Sequence, residues 1–188
     1  MSTFKTPKDQ VAVRPLTVSC LEAHIEDIAE IYAFAVQNLL ATVELVPPTV
    51  VEMSARITKI INAGYPAFVA CNGVGRVVGY AYGNSFRNAP AFRPAMEHSI
   101  YVDHSFTGCG VGRKLLTALI EASITAGEFR QMIAVVEASQ SASLAFHEAM
   151  GFCEVGRVRG IAYKHGQWCT AVFLQLALGE GDATPPGP

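Results

Sequence analysis

The spacing of apolar positions changes several times along the chain, and each change marks an element. Val11, Val13 and Leu16 flank Arg14-Pro15, the pattern of a short edge strand, because a proline without an N–H is tolerated at a sheet edge and not in its middle. Leu21, Ile25, Ile28, Ile31/Tyr32 and Ala35/Val36 then recur every three or four residues and predict one amphipathic helix. A second helix follows Pro47-Pro48: Thr49-x-x-Glu52 is a capping box, Met53, Ile57 and Ile60/Ile61 form one face, and Gly64 ends it. From Pro66 the period changes. Ala67–Cys71 and Arg76–Tyr82, joined by Asn72-Gly73-Val74-Gly75, read as an antiparallel hairpin. A loop over about 85–96 leads to a strand at His98–Val102, a glycine-rich turn, and a helix carrying Leu115, Leu116, Leu119, Ile120 and Ile124. A strand at Met132–Val136, a helix at Ser141–Met150 stopped by Gly151, and strands near 152–161 and 170–176 complete the series.

The order βαα-ββ-β-α-β-α-ββ predicts an α+β fold, an α/β sandwich whose mixed sheet carries helices on its faces, rather than a regular doubly wound sheet. With 188 residues the chain fits one domain at about 150 residues each. The expected domain runs over 11–178, between a flexible N-terminus at 1–10 and a disordered tail at 179–188 that has nothing to bury.

Composition narrows the class. Apolar residues at 51% supply a sizeable core and exclude a disordered chain. A formal charge of −2, with no cluster of Lys and Arg beyond Arg113-Lys114, argues against a nucleic-acid binder. Five scattered cysteines without a C-x-x-C spacing read as reduced thiols. The first ten residues lack the apolar core of a signal peptide, and no stretch approaches the ~18 apolar residues of a membrane span. The expectation is a soluble, cytoplasmic protein. No histidine spacing matches a metal motif, so no metal is expected.

Gly108-Cys109-Gly110-Val111-Gly112 stands between a strand and a helix, where residues without a Cβ let successive backbone N–H groups converge on an oxyanion at the positive end of the helix dipole. By spacing alone it also reads as a plain tight turn. It is not a P-loop, because Arg113-Lys114-Leu115 follows where Lys-Ser/Thr is needed. Nor is it a dinucleotide fingerprint, since the glycines alternate.

Thr107-Gly108-Cys109-Gly110-Val111-Gly112 resembles the Q/R-x-x-G-x-G/A turn of the GNAT superfamily of N-acetyltransferases, with Thr107 in place of the usual Gln or Arg. Glu97-His98-Ser99-Ile100-Tyr101-Val102, Ser143–Phe152, and Tyr163-Lys164-His165-Gly166-Gln167-Trp168 resemble the phosphinothricin and methionine-sulfoximine acetyltransferases within it, as do Ile31-Tyr32 and Ala41-Thr42-Val43-Glu44. The resemblance implies a mixed, mostly antiparallel central sheet with helices on both faces, acetyl-CoA as co-substrate, and a homodimer. It also implies direct acetyl transfer to the amine of a small amino-acid-like substrate.

Roles follow by the same resemblance. Gly108, Cys109, Gly110, Val111, Gly112 and Arg113 would hold the pyrophosphate, Ile100, Tyr101 and Val102 would offer backbone groups to the pantetheine arm, and Gln140 and Ser143 would touch coenzyme A. Glu97 would be the base that frees the amine, which at a pKa near ~10 is protonated at neutral pH. By type and position alone it reads as a solvated strand-end acid. His147 would quench the leaving thiolate; alone it reads as a satisfied histidine at the edge of the core. Thr42, Glu44, Arg87, Phe92, Arg93 and His165 would border the acceptor. Arg87 and Arg93 have the fork that grips a carboxylate or phosphinate, or else are ordinary exposed loop arginines. The segment Arg87–Ala95 lacks an Arg, a Tyr hydroxyl and a Thr hydroxyl common in that group, and Cys169-Thr170 follows Trp168 where an Asp is usual. A different small amine, a protein amine, or a non-catalytic acyl-CoA-binding module are therefore the rival readings.

Overall fold

The computed structural model describes residues 11–186, so the N-terminus expected to be flexible over 1–10 lies outside the described residues. The chain forms two compact units. One contains the residues up to Ala33, Pro48–Gly83 and Ile100–Ala122; the other contains Phe34–Pro47, Asn84–Ser99 and the chain from Ser123 on.

In the first unit β1 (Ala12–Pro15), β2 (Ala67–Cys71) and β3 (Val77–Ser85) pair antiparallel, with Arg14 opposite Val69 and Val69 opposite Tyr80. The single helix expected from Leu21 onward is instead two: α1 (Val18–Leu21) and α2 (Ile25–Asn38). The His24 N–H bonds the Leu21 carbonyl and the His24 carbonyl then accepts from Ile28, so a tight turn closes one helix and starts the next. The apolar period continues across that break, which is why the pattern reads as one helix. Helix α3 (Val50–Asn62) begins on the expected capping box: Thr49 Oγ1 accepts from the Glu52 N–H at 3.2 Å, and Glu52 Oε2 accepts from the Thr49 N–H at 2.7 Å. Ile28, Ile57, Val77, Leu115 and Leu116 are fully shielded and form the centre of this unit, each such side chain contributing about 1.5–3 kcal/mol.

The second unit is built on β4 (Ala95–Val102), β5 (Gln131–Glu137), β6 (Cys153–Lys164) and β7 (Gln167–Ala177). The start of β4 runs parallel to β5, with Glu97 opposite Ile133; β5 pairs antiparallel with β7, and β7 with β6. β4 continues from this unit into the first, and strand order is β1-β2-β3-β4-β5-β7-β6. The result is the expected α+β fold, a mostly antiparallel seven-stranded sheet with five helices. The remaining helices are α4 (Val111–Ala126) and α5 (Ser141–Ala149). Met96, Met132, Val172 and Leu174 are fully buried.

Residues 179–182 form turns. The Arg130 guanidinium donates to Glu180 at 3.4 Å, to Thr184 at 3.3 Å and to the Pro185 carbonyl at 3.2 Å.

Candidate active site

Strand alternation decides which side chains share a face. Along the start of β4, Met96 and His98 are buried while Ala95, Glu97 and Ser99 are half-buried, so Glu97 and His98 point to opposite sides of the sheet. Burial raises the Glu97 carboxyl above its ordinary pKa, and the nearby Arg87 cation partly offsets that rise. A half-buried carboxyl with a raised pKa is a better proton acceptor than a solvated one.

His98, 6% exposed, meets His147 of α5, 3% exposed, with Nε2 to Nε2 at 3.2 Å. The other His147 nitrogen, Nδ1, is 2.7 Å from the Ser143 carbonyl. A carbonyl only accepts, so the His147 proton sits on Nδ1. Its Nε2 is then a bare acceptor, and His98 donates to it through Nε2–H. Phe152 packs on both rings, at centroid distances of 5.4 Å. Burial holds both histidines neutral, with the His98 pKa pushed down to about 3 and the His147 pKa lowered. Both nitrogens of His147, expected above as the acid, are engaged in this arrangement, Nδ1 with the Ser143 carbonyl and Nε2 with His98.

In the first unit the chain after β4 makes one turn of 3₁₀-helix at His104–Phe106, where the Asp103 carboxylate accepts from the Ser105 N–H at 2.9 Å. Thr107 Oγ1 donates to the His104 carbonyl at 2.9 Å. Gly108 and Gly110 then take φ of 72° and 77°, values open to glycine and strained for other residues. The Lys114 N–H bonds the Gly110 carbonyl, so Val111, Gly112 and Arg113 form the first turn of α4, whose amides an α-helix leaves without intrahelical acceptors. Residues 107–110 are exposed, and nothing lies within 4 Å of where a Cβ on Gly108 or Gly110 would stand. The Cys109 N–H is taken by the Phe106 carbonyl at 3.3 Å, while the glycine amides of this open turn, at the positive end of a 16-residue helix, fit a pyrophosphate. Lys114 turns elsewhere, its Nζ donating to the Val11 carbonyl at 3.1 Å. Ile100, Tyr101 and Val102 are half-buried; the Tyr101 ring stacks on Tyr80 at 5.3 Å and meets Tyr32 edge-on at 5.0 Å.

The remaining expected residues fall in the second unit. Arg87 is exposed, its guanidinium 5.4 Å from the Phe86 ring centroid, and Phe92 packs edge-on against Phe86 at 5.9 Å in the same loop. Arg93 is exposed and caps the 3₁₀ turn Pro90–Phe92. Gln140 is the N-cap of α5, and Ser143 lies in its first turn. His165, at φ 48°, forms with Gly166 the two-residue turn between β6 and β7; it is exposed. Thr42 is buried, its Oγ1 accepting from the N–H of half-buried Glu44 at 3.2 Å.

The sequence resembled the GNAT superfamily at a turn that the structure forms as an anion nest at the start of a long helix. The match is not confined to that turn, for residues 25–152 fit the acetyltransferase (GNAT) family as a whole. The chain belongs to the acetyltransferase (GNAT) family.

Within the GNAT family it is 41% identical over 160 residues to a phosphinothricin N-acetyltransferase of Alcaligenes faecalis, covering 85% of this chain and 80% of that one. It is 34% identical over 163 residues to an L-methionine sulfoximine/L-methionine sulfone acetyltransferase of Pseudomonas paraeruginosa, covering 87% and 94%. A GNAT phosphinothricin acetyltransferase from Sinorhizobium meliloti, crystallised with acetyl-CoA, superposes with a TM-score of 0.87 at 40% identity, covering 95% of this chain and 94% of that one. The GNAT co-substrate is acetyl-CoA. Among the described residues no group of three or more His, Cys, Asp or Glu is placed to hold a metal ion, and no helix is long and apolar enough to cross a membrane.

Sequence reasoning missed one feature of this GNAT chain, an open pocket in the second unit. Thr42 belongs to its wall, as do Cys169 and Thr170, which stand where the resembled group has an Asp, but so do Glu137 and Lys164, neither of which was singled out for a role. The signal was present at Tyr163-Lys164: period-2 alternation at the end of an apolar strand turns one of the two inward, and it is the lysine.

Proposed function

We propose that this chain transfers the acetyl group of acetyl-CoA to the amine of a small amino-acid-like acceptor of the phosphinothricin or methionine-sulfoximine type. The observation that carries the reading is Glu97. It is a half-buried carboxyl with a raised pKa, set on the same strand as Ile100–Val102 and three residues upstream of them.

Bound acetyl-CoA supplies the thioester; the backbone of the turn at 108–113 and of Ile100, Tyr101 and Val102 fixes it, with exposed Arg113 and half-buried Gln140 and Ser143 as side-chain contacts. Glu97 takes a proton from the acceptor ammonium, directly or through water, and leaves a neutral nitrogen with a lone pair. The nitrogen forms the C–N bond as the C–S bond breaks, with the electron pair leaving on sulfur, and the now cationic nitrogen releases its second proton through water to give the neutral amide. A thiol near pKa ~8.5 takes its proton from solvent without help from His147. His147 is a positioning residue, holding α5 against the strand that carries Glu97. Arg87, Arg93, Phe92, Thr42, Glu44 and His165 border the acceptor, and a guanidinium there binds a carboxylate or phosphinate through paired hydrogen bonds.

Two further parts of the reading concern its setting. β6 is exposed along its whole length except Ala162 and Lys164, and Val155, Val158 and Ile161 lie uncovered on it, which supports a homodimer in which a second copy covers this edge. All five cysteines are unpaired, which supports the cytoplasm. Light scattering tests the first, and localisation of the tagged protein tests the second.

The test of function is thiol release from acetyl-CoA with a panel of amines: L-phosphinothricin, L-methionine sulfoximine, L-methionine sulfone, simple polyamines and a lysine peptide. Turnover confined to the amino-acid acceptors is expected. Preference for the peptide or the polyamines would move the activity to another acceptor. Calorimetric binding of acetyl-CoA with no thiol release from any amine would make the chain a binding module.

A further inference from the structure

Lys164 ends β6 and is 2% exposed, the most deeply buried charged side chain in the second unit. Its position on the sheet follows from the register. Lys164 lies two residues from Ala162, which pairs with Cys169 of β7; Cys169 lies two residues from Ala171, which pairs with Glu137 of β5; Ile133 of β5, four residues back, pairs with Glu97 of β4. Paired residues and residues two apart share a face, so Lys164, Cys169, Glu137, Val135 and Glu97 stand on one side of this part of the sheet. The pocket lies on that side, roofed by the segment 40–43 and floored by Val135, Glu137, Ala162 and Cys169.

An ammonium in such a place is costly unless something answers its charge and its three N–H groups. One N–H goes to the Thr42 carbonyl at 2.8 Å. Desolvation draws its pKa down, outweighing the opposite influence of Cys169 and of the Glu44 counter-charge. Glu137, which also lines the pocket, is committed elsewhere: its carboxylate accepts from the Ser139 N–H at 2.8 Å, from the Ser139 hydroxyl, and from the Thr170 N–H at 3.4 Å. The lysine therefore brings two further donors to a pocket whose lining is otherwise mainly apolar, a combination suited to an anionic oxygen on a largely aliphatic body.

We propose that Lys164 is the anion anchor of the acceptor site, binding a carboxylate or phosphinate oxygen of the acceptor within this pocket while the amine is turned toward the Glu97 end of the same face. This rests on the acetyltransferase reading above and adds to it the group that selects the acceptor. The two possible anions are separated by acceptors that carry one each: L-methionine has the carboxylate alone, 3-aminopropyl(methyl)phosphinate has the phosphinate alone, L-phosphinothricin has both, and methionine amide has neither.

The experiment measures kcat/KM for these four acceptors with the wild-type protein, Lys164→Gln and Lys164→Met, together with the thermal shift that each acceptor produces. For wild type, methionine amide is expected to be at least about tenfold poorer than acceptors carrying the recognised anion. In both variants kcat/KM for those acceptors falls about ten- to hundredfold, as for loss of a charge-assisted hydrogen bond, and their thermal shift disappears, while methionine amide and the acetyl-CoA shift change little. Whichever anion-bearing acceptor loses its advantage identifies the anion that Lys164 holds. A uniform loss across all four acceptors, no loss, or a wild-type protein that treats methionine amide as well as the others would overturn the proposal while leaving the acetyltransferase reading intact. If the variants fail to fold, a crystal structure of the wild-type protein with L-phosphinothricin decides: an anionic oxygen of the acceptor within hydrogen-bond distance of Lys164 Nζ supports the proposal, and anions held by Arg87 or Arg93 away from Lys164 overturn it. No turnover of any acceptor by wild type would sink the acetyltransferase reading, and the anchor with it.

Discussion

The Nε2 atoms of His98 and His147 stand 3.2 Å apart, on the face of β4 away from Glu97. Ser143 fixes the proton of the second ring and thereby that of the first, so the pair is a neutral, directional tie between β4 and α5. His98 Nδ1 is buried without a hydrogen-bond partner, as expected for the bare nitrogen of that tautomer.

This tie makes stability depend on pH. Both histidines have a lowered pKa in the folded protein, His98 to about 3, against 6.5 when exposed, so below about 6.5 the unfolded chain takes up protons that the folded chain refuses. The pair's contribution is complete above that pH and is lost as pH falls, by up to about 1.4 kcal/mol per pH unit per histidine. Glu97, whose pKa is raised, acts in the opposite sense, so a comparison of variants isolates the pair. His98→Gln keeps an N–H for His147 and removes one titrating ring. Thermal melts from pH 7.5 to 4 should show a shallower loss for this variant than for wild type, and parallel curves would mean that His98 is charged in the folded state.

On the other face of the strand, Glu97→Gln keeps size and hydrogen bonding but cannot take a proton. Loss of a general base costs about 10²–10⁴ in rate, so kcat for a confirmed acceptor should fall within that range while acetyl-CoA affinity holds. In the wild-type protein kcat/KM should decline as pH falls through the Glu97 pKa, which lies above the ordinary 4.5, and Arg87→Gln should move that limb upward, because Arg87 favours the ionised form. An unchanged kcat in Glu97→Gln would remove this residue from the proton path.

How legible was this in the sequence? Elements with strong local signals were read almost to the residue: α3, from its Thr49-Glu52 box, and the hairpin of β2 and β3. The break between α1 and α2 was not, because Leu21 and Ile25 keep their spacing across it and periodicity measures facing, not continuity. The glycine turn was legible because it is made of backbone, and backbone demands are written in residue type. The partner of His147 was not, for it depends on a tertiary contact 49 residues away. Lys164 was hidden for the same reason, since its burial is produced by segment 40–43, distant in sequence.

The glycine turn offers a separation of fold from binding. Gly108 and Gly110 have positive φ and open space around them, so an added methyl group meets no neighbour and the cost is that of the backbone conformation alone, about 1–2 kcal/mol. Gly64, at φ 85° and equally open, shares that cost outside the turn. Gly108→Ala and Gly110→Ala should match Gly64→Ala in lost stability yet weaken acetyl-CoA binding several-fold by calorimetry, where Gly64→Ala does not. Equal affinities in all three would place the pyrophosphate elsewhere.

Gly79 tests the packing beneath that turn. It lies inside β3 without a positive φ, so space and not conformation decides its identity. A Cβ there would stand 3.1 Å from the Leu115 Cδ1, the Val111 Cγ1 and the Tyr101 carbonyl oxygen at once. Leu115 and Val111 are fully buried in the first two turns of α4, and the carbonyl is backbone of β4, so none of the three can yield freely. Overpacking of this kind costs about 1–3 kcal/mol. Gly79→Ala should therefore lower the Tm by several degrees. It should also weaken acetyl-CoA binding, because relief of the crowding displaces Val111 and Tyr101, which belong to the two backbone segments assigned to the co-substrate. Gly79→Ala combined with Leu115→Val, which shortens one of the crowding side chains, should recover part of both losses. A Gly79→Ala protein as stable as wild type would mean that β3 and α4 are packed less tightly than these distances require.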